Sequence, residues 1–246
     1  SQFSMEDPIS WICENFQSEH PDIQREVYKV LCACRENIGT FLAELFRVLS
    51  DSSASVHFRK IATILIGNNI PLSGDEFYDL LFEILKYLSY TLFEVDDDLF
   101  SIFVSLYARL YLLFKEDFPD QPSELMQQFL GTPNIEERAL LLGIELAHFL
   151  VDVPSGLIEI LPLFLANGHQ LNALRLARDC FNQSYHLLRS SFVPVMLQCC
   201  EMYDTEAAIL SGQIAVRMYN ASKDDLLAEY IAALLNGGFD VSEIVL

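Results

Sequence analysis

Apolar residues recur along almost the whole chain three or four positions apart, with polar residues between them. This spacing places the apolar side chains on one face of an α-helix. No run of alternating apolar and polar residues bounded by turn residues indicates a β-strand. We therefore predict an all-α fold.

Capping and helix-breaking residues divide this pattern into segments. Helix starts are predicted at Pro21, Asp204, Ser222 and at the pairs Ser73/Glu76 and Asn134/Glu137, and stops at Gly39, 67–71, 131–133, 167–168 and 237–238. The resulting helices pair as 7–17 with 21–37, 40–50 with 54–69, 74–92 with 96–115, 121–130 with 134–151, 156–166 with 169–182 and 185–202 with 205–219, followed by 223–236.

One short pattern recurs in three of these helices. The segments IQREVYKVL, HFRKIATIL and EERALLLGI each place apolar residues two and six positions after an arginine, namely Arg25, Arg59 and Arg138. Arg25 and Arg59 are 34 residues apart, and Arg59 and Arg138 are 79 apart, about two repeats of roughly 40 residues. The pattern predicts a right-handed, superhelical α-solenoid of six to seven HEAT-like hairpins, because the Trp-Leu-Gly-Tyr signature of tetratricopeptide repeats is absent.

We expect one solenoid over residues 1–246, with residues 1–4 a cloning remnant, 5–70 the amino-terminal portion of the array and 71–246 further repeats. The last segment, FDVSEIVL, begins a helix without the polar outer face of a terminal capping repeat. The sequence therefore predicts a fragment of a longer array.

Acidic residues outnumber basic ones by 35 to 15, which gives a formal net charge of −20. A surface of this sign repels nucleic-acid phosphates and anionic lipids, so we expect no direct nucleic-acid binding and a positively charged protein partner. The candidate residues for that partner lie in the most acidic stretch: Asp75, Glu76, Asp79, Glu94, Asp96, Asp97 and Asp98. Two alternatives remain open, a solvated outer face and, for residues 94–98, complementation of a helix dipole.

The sequence offers little for catalysis, cofactor binding or membrane insertion. The six cysteines lack zinc-ligand spacing and are expected to be reduced and buried. Glu145 and His148 have the ExxH spacing of a di-iron bundle, but the second such unit that the site needs is missing. The most apolar stretch, 99–114, contains Arg109 and is shorter than a membrane span. We predict a protein that is not an enzyme, has no cofactor or metal and does not insert into a membrane.

The first two hairpins resemble the amino-terminal region of the importin-β (karyopherin) family. The resemblance rests on a helix beginning at Pro21, on the FLxxLxxxL element of Phe41, Leu42, Leu45 and Leu49, and on the RxxAxxxL element of Arg59, Ala62 and Leu65 followed by Asn68, Asn69 and Ile70. Gly67-Asn68 stands where the family favours Lys-Asn.

This resemblance implies a nuclear transport receptor that shuttles between cytoplasm and nucleus. It further implies binding of a Ran-like GTPase in its GTP form to the second helices of the first pairs, of basic cargo to an acidic inner surface, and of Phe-Gly nucleoporins to outer grooves. By position, the GTPase-facing residues would be Gln24, Arg25, Arg59, Asn68 and Asn69. Arginines at these positions equally suit stabilising contacts between repeats, and a HEAT scaffold without a transport role is the second hypothesis.

Overall fold

The computed structural model describes residues 7–73, 75–149, 153 and 155–245. These residues form helices and connecting turns and contain no β-strand, so the all-α prediction is confirmed. The α-helices are α1 (Pro8–Asn15), α2 (Pro21–Arg35), α3 (Ile38–Ser50), α4 (Val56–Ser73), α5 (Tyr78–Thr91), α6 (Asp97–Phe114), α7 (Gln121–Leu130), α8 (Glu137–Phe149), α9 (Ser155–Ala166), α10 (Gln170–Asp179), α11 (Tyr185–Leu187), α12 (Val193–Gln198), α13 (Thr205–Ser222), α14 (Asp225–Asn236) and α15 (Val241–Ile244).

Two of the predicted helix starts are confirmed. Pro21 is the first residue of α2, where its missing N–H costs no helical hydrogen bond. Asp204 precedes α13, and its carboxylate accepts a hydrogen bond from the Ala207 N–H at 2.8 Å. Such a bond satisfies one of the donors that the first turn of a helix leaves without a partner.

Three other predicted starts are wrong. Ser73 is the last residue of α4, and α5 begins only at Tyr78, after a 3₁₀ turn over Asp75–Phe77. Asn134 has a left-handed backbone with φ of 69°, and α8 begins three residues later. Ser222 ends α13, and the carboxylate of Asp224 caps α14 instead. In each case the chain forms a turn before the helix begins.

The break predicted at Gly39 is present but displaced, because α2 ends at Arg35 and Gly39 lies in the first turn of α3. The stop predicted at Gly67 is wrong, because α4 continues through this glycine to Ser73. A Cβ on Gly39 would lie 2.5 Å from the ring of Phe77, and a Cβ on Gly67 would lie 2.9 Å from the guanidinium of Arg109. The absence of a side chain at these positions allows a neighbouring segment to approach, which compensates for the poor helix propensity of glycine.

The chain forms two compact units, one ending at Phe118 and the other beginning at Pro119. In the first unit α1 packs on α2, α3 on α4 and α5 on α6, as the predicted hairpins require. In addition α3 contacts α5 and α4 contacts α6. The first pair contacts the second through non-equivalent helices, α1 with α4 and α2 with α3. In the second and third pairs the equivalent helices are in contact, which gives two layers of helices with the core between them.

The second unit repeats this arrangement. The pairs α7/α8 and α9/α10 are formed, α7 contacts α9, and α10 contacts both α8 and α13. The helix predicted over 185–202 is interrupted, with α11, a π-helical turn over Leu188–Phe192, α12 and a 3₁₀ turn over Cys200–Met202. Pro194, which has no N–H to donate, is the second residue of α12, just beyond the π-helical turn. This segment packs mainly on α9, while α13 packs on α10, α14 and α15.

Candidate protein-binding surfaces

Helix α2 presents most of its surface to solvent. Val27 and Leu31 are its only buried residues, and Tyr28 is 65% exposed. Gln24 and Arg25, two of the predicted GTPase-facing residues, lie on the exposed part. The Gln24 amide donates to the Ser18 carbonyl at 3.0 Å, and Arg25 is 3.5 Å from the Asp22 carboxylate. Because both side chains are exposed, they are accessible to a partner, and a surface ion pair of this kind costs little to break.

Arg59, also predicted to face a GTPase, makes contacts within the first unit. Its Nε donates to the Leu49 carbonyl at 2.9 Å, and its Nη2 donates to the Tyr87 hydroxyl at 3.3 Å. Its guanidinium also lies over the Phe103 ring, 5.5 Å from the ring centre. Arg59 thereby connects α4 with α3, α5 and α6, which matches the stabilising role that the sequence left open for it.

The two adjacent asparagines of α4 have opposite environments. Asn68 is exposed, whereas Asn69 is completely buried. The amide oxygen of Asn69 accepts from Arg35 Nε at 3.0 Å, and its nitrogen donates to the Leu65 carbonyl at 2.6 Å. Asn68 can therefore contact a partner in this conformation, and Asn69 cannot.

The three arginines of the repeated pattern also differ in burial, as the two asparagines do. Arg25 is exposed, Arg59 is partly buried and Arg138 is only 8% exposed. The sequence pattern identifies equivalent positions in the helices, but the neighbouring helices decide whether the arginine faces solvent.

All seven predicted acidic residues are exposed, but they form two groups. Asp75, Glu76 and Asp79 lie at the start of α5, and the other group, residues 94–98, lies after its end. A helix of 14 residues is about 21 Å long, so the groups lie at opposite ends of it. Asp97 and Asp98 occupy the first turn of α6, where negative charge complements the helix dipole.

The structure adds a residue to the first acidic group that the sequence analysis missed. The Tyr78 hydroxyl donates to the Asp117 carboxylate at 2.6 Å, which raises the pKa of Tyr78. Asp117 is 39 residues away along the chain, so no local sequence pattern indicates this proximity. The Tyr78 ring packs against Phe114, with ring centres 4.7 Å apart. This end of α5 and α6 therefore combines carboxylates with an exposed aromatic ring.

The cysteines are all unpaired, but only part of the burial prediction is confirmed. Cys13, Cys180 and Cys199 are buried, whereas Cys32 is exposed and Cys34 and Cys200 are half-buried. Burial raises the pKa of Cys13 to about 11 and that of Cys180 to about 12. These two thiols are protonated near neutral pH and are poor nucleophiles.

Glu145 is half-buried and His148 is exposed on α8. Across the described part of the chain, no group of three or more His, Cys, Asp or Glu side chains could hold a metal ion. No helix in the same residues has the length and apolar character needed to cross a membrane.

Comparisons with family models, with curated proteins and with solved structures found no match for this chain.

Proposed function

We propose that this chain is part of a nuclear transport receptor of the importin-β type and that α2 binds a Ran-like GTPase in its GTP form. The observation that carries the proposal is the exposure of α2, which keeps Gln24, Arg25 and Tyr28 in solvent and buries only Val27 and Leu31. The resemblance of the first two hairpins to that family supplies the identity of the partner.

The contacts described above narrow the proposed GTPase site. Gln24, Arg25 and Asn68 are accessible, while Arg59 and Asn69 act as internal supports. Arg35, which bonds Asn69, the chain neighbour of Asn68, is ten residues from Arg25 on the same helix, a separation of about 15 Å. A protein interface of ordinary size, roughly 800 Å² on each partner, covers that length.

Arg25→Glu tests the GTPase site, and Arg47→Glu is its matched control. Both arginines are exposed and pair with a carboxylate three residues earlier on the same helix. We expect R25E to reduce the amount of GTP-bound Ran that the immobilised chain captures at least tenfold, and R47E to leave that amount unchanged. Equal capture of the GTP and GDP forms by the unaltered protein would contradict the proposal.

Basic cargo is the second proposed partner. The exposed acidic groups at the two ends of α5, with Asp117 added to the first, support it, because carboxylates attract Lys- and Arg-rich proteins and speed their encounter. Affinity for such a cargo is expected to fall steeply as salt is raised from 50 to about 300 mM. Phe-Gly nucleoporin binding and shuttling between nucleus and cytoplasm are proposed on the same resemblance.

The mechanism that we propose is competition through a flexible solenoid. Contacts between successive helix pairs within each unit support stacking of the hairpins. We propose that the stack is a right-handed superhelix of HEAT-like hairpins in which each hairpin contacts only its neighbours. A GTPase bound near α2 would then weaken cargo binding elsewhere, and cargo would weaken GTPase binding equally. A globular chain of this length has a radius of gyration of about 18 Å, so a clearly larger value in small-angle scattering is expected.

A HEAT scaffold without a transport role is the alternative. The internal contacts of Arg59 and Asn69 favour it, because two of the positions assigned to the GTPase instead stabilise the fold. A scaffold would co-purify with a fixed partner and would be indifferent to the nucleotide on the GTPase, so the capture experiment separates the two hypotheses.

A further inference from the structure

Two clefts in the second unit share one wall, formed by His169. The first has a volume of about 420 Å³ and lies against α9, with Leu130, Ile160, Leu163 and Phe164 among its lining residues. The second has a volume of about 270 Å³ and is lined by residues near the starts of α8, α10 and α13, including Glu137, Asn172 and Asp204. All these residues belong to one compact unit.

The first cleft offers apolar surface to solvent. Leu163 is 63% exposed, although the leucines on either side of it in α9, Leu161 and Leu165, are completely buried. Phe164 also lines the cleft, and its ring meets His169 edge-on with ring centres 5.6 Å apart. An apolar side chain of a partner would remove this surface from water.

The second cleft carries negative charge. One Glu137 oxygen accepts from the Asn172 amide at 2.7 Å, and the other lies 3.7 Å from His169 Nδ1. Asp204 lies on the same cleft, and Glu136 lines the first cleft beside it. The hydrogen bond from Asn172 fixes the position of the Glu137 carboxylate within the second cleft.

We propose that the two clefts together bind an extended segment of a partner protein in which an apolar residue is followed two positions later by Lys or Arg. In an extended chain, side chains i and i+2 point to the same face about 7 Å apart, so both can face two clefts that share the His169 wall. The carboxylates select the cation, and the net charge of −20 attracts basic segments in general. The inference rests on the basic-partner part of the proposed function and is independent of GTPase binding.

The test uses an array of immobilised peptides GSG-X-G-Z-GSG, with X as Leu, Phe, Ala or Ser and Z as Lys, Arg, Gln or Glu, probed with the labelled whole chain at 50 mM salt. We expect Leu or Phe combined with Lys or Arg to give at least fivefold more signal than any peptide with Ser at X or Glu at Z. A signal that follows Z alone, or is strongest for Glu, overturns the inference.

Variants locate the binding. Leu163→Ser should abolish the preference for Leu or Phe at X and retain the preference for Lys or Arg at Z. Glu137→Gln should weaken the preference at Z at least threefold. The amide oxygen of the new glutamine can still accept the hydrogen bond from Asn172, so the local structure is kept. The matched controls are Leu226→Ser, at a leucine 64% exposed on α14, and Glu229→Gln, at an exposed glutamate of the same helix. If L226S and E229Q act as strongly as L163S and E137Q, the inference is wrong.

The outcomes also separate this inference from the proposed function. If Asp79→Lys abolishes peptide binding and E137Q does not, basic segments bind at α5, which overturns the inference and leaves the transport proposal standing. If the array behaves as expected but Ran capture does not depend on nucleotide, the transport proposal fails and the two-cleft site stands.

Discussion

The Nε of Arg35, the last residue of α2, donates a hydrogen bond to the amide oxygen of Asn69 in α4 at 3.0 Å, across 34 residues of chain. Asn69 has no solvent exposure, and its nitrogen donates to the Leu65 carbonyl. The exposed helix α2, which buries few side chains of its own, is thereby fixed to the second hairpin by a polar contact in the interior.

Asn69→Ala should lower the free energy of unfolding by about 2 to 3 kcal/mol, because it removes the acceptor of Arg35 and leaves a cavity. Asn68→Ala, at the exposed neighbouring position, should change it by less than about 0.5 kcal/mol. Urea denaturation measures both values. Equal effects of the two substitutions would show that the buried hydrogen bond is not what holds α2.

Arg59→Lys should lower the free energy of unfolding by about 1 to 3 kcal/mol. A lysine cannot bond the Leu49 carbonyl and the Tyr87 hydroxyl while also stacking over Phe103 as the planar guanidinium does. Arg25→Lys, at the exposed equivalent of the repeated pattern, should leave stability within about 0.5 kcal/mol. Thermal unfolding provides the comparison, and a stable R59K protein would contradict the interpretation of Arg59 as an internal support.

Gly143→Ala should destabilise the second unit by about 1 to 3 kcal/mol, because the added Cβ would lie 2.4 Å from the Leu157 side chain and 3.0 Å from that of Leu176. Gly156→Ala is the matched control in α9, since nothing lies within 4 Å of a Cβ there. That substitution should be neutral or stabilise by up to about 1 kcal/mol through helix propensity. Destabilisation by both substitutions would indicate that crowding is not the cause.

Stability should fall at alkaline pH in part because of Cys180, whose pKa is raised from 9.0 to about 12, mainly by burial. The folded state keeps the thiol proton that the unfolded state loses above pH 9, so this contribution is complete below pH 9 and is lost as the pH rises towards 12. Its loss amounts to roughly 1.4 kcal/mol per pH unit within that window.

Urea unfolding at pH 8, 9, 10 and 10.5 measures this contribution, and Cys180→Ala should remove the corresponding part of the slope. Cys13→Ala should also reduce the dependence of the unfolding free energy on pH. The pH range of its effect is narrower, because the pKa of Cys13 is raised only to about 11. Identical slopes for the unaltered protein and C180A would contradict the assignment.

The helical architecture could be predicted from the sequence because it depends on local properties. Apolar spacing indicated helices over nearly all the segments that form them, and Pro21 and Asp204 marked starts because a missing N–H and a capping carboxylate act within a single turn. The predicted helix boundaries were wrong where contacts with a distant segment of the chain influence the local structure. Gly39 and Gly67 lie within helices, and Phe77 and Arg109 occupy the space that a Cβ would need at these positions. Neither contact is visible in the local sequence.

The binding surfaces depended on tertiary structure to a greater extent. Local sequence patterns were sufficient to predict the acidic character, the all-α fold of the described residues and the arginines at equivalent helical positions. Only the packing of helices determined that Arg25 is exposed while Arg138 is buried, that Asn68 faces solvent while Asn69 bonds Arg35, and that the acidic residues separate to the two ends of α5. The reason is physical: helix formation depends on neighbours within a turn, whereas exposure depends on which distant residues occupy the adjacent space.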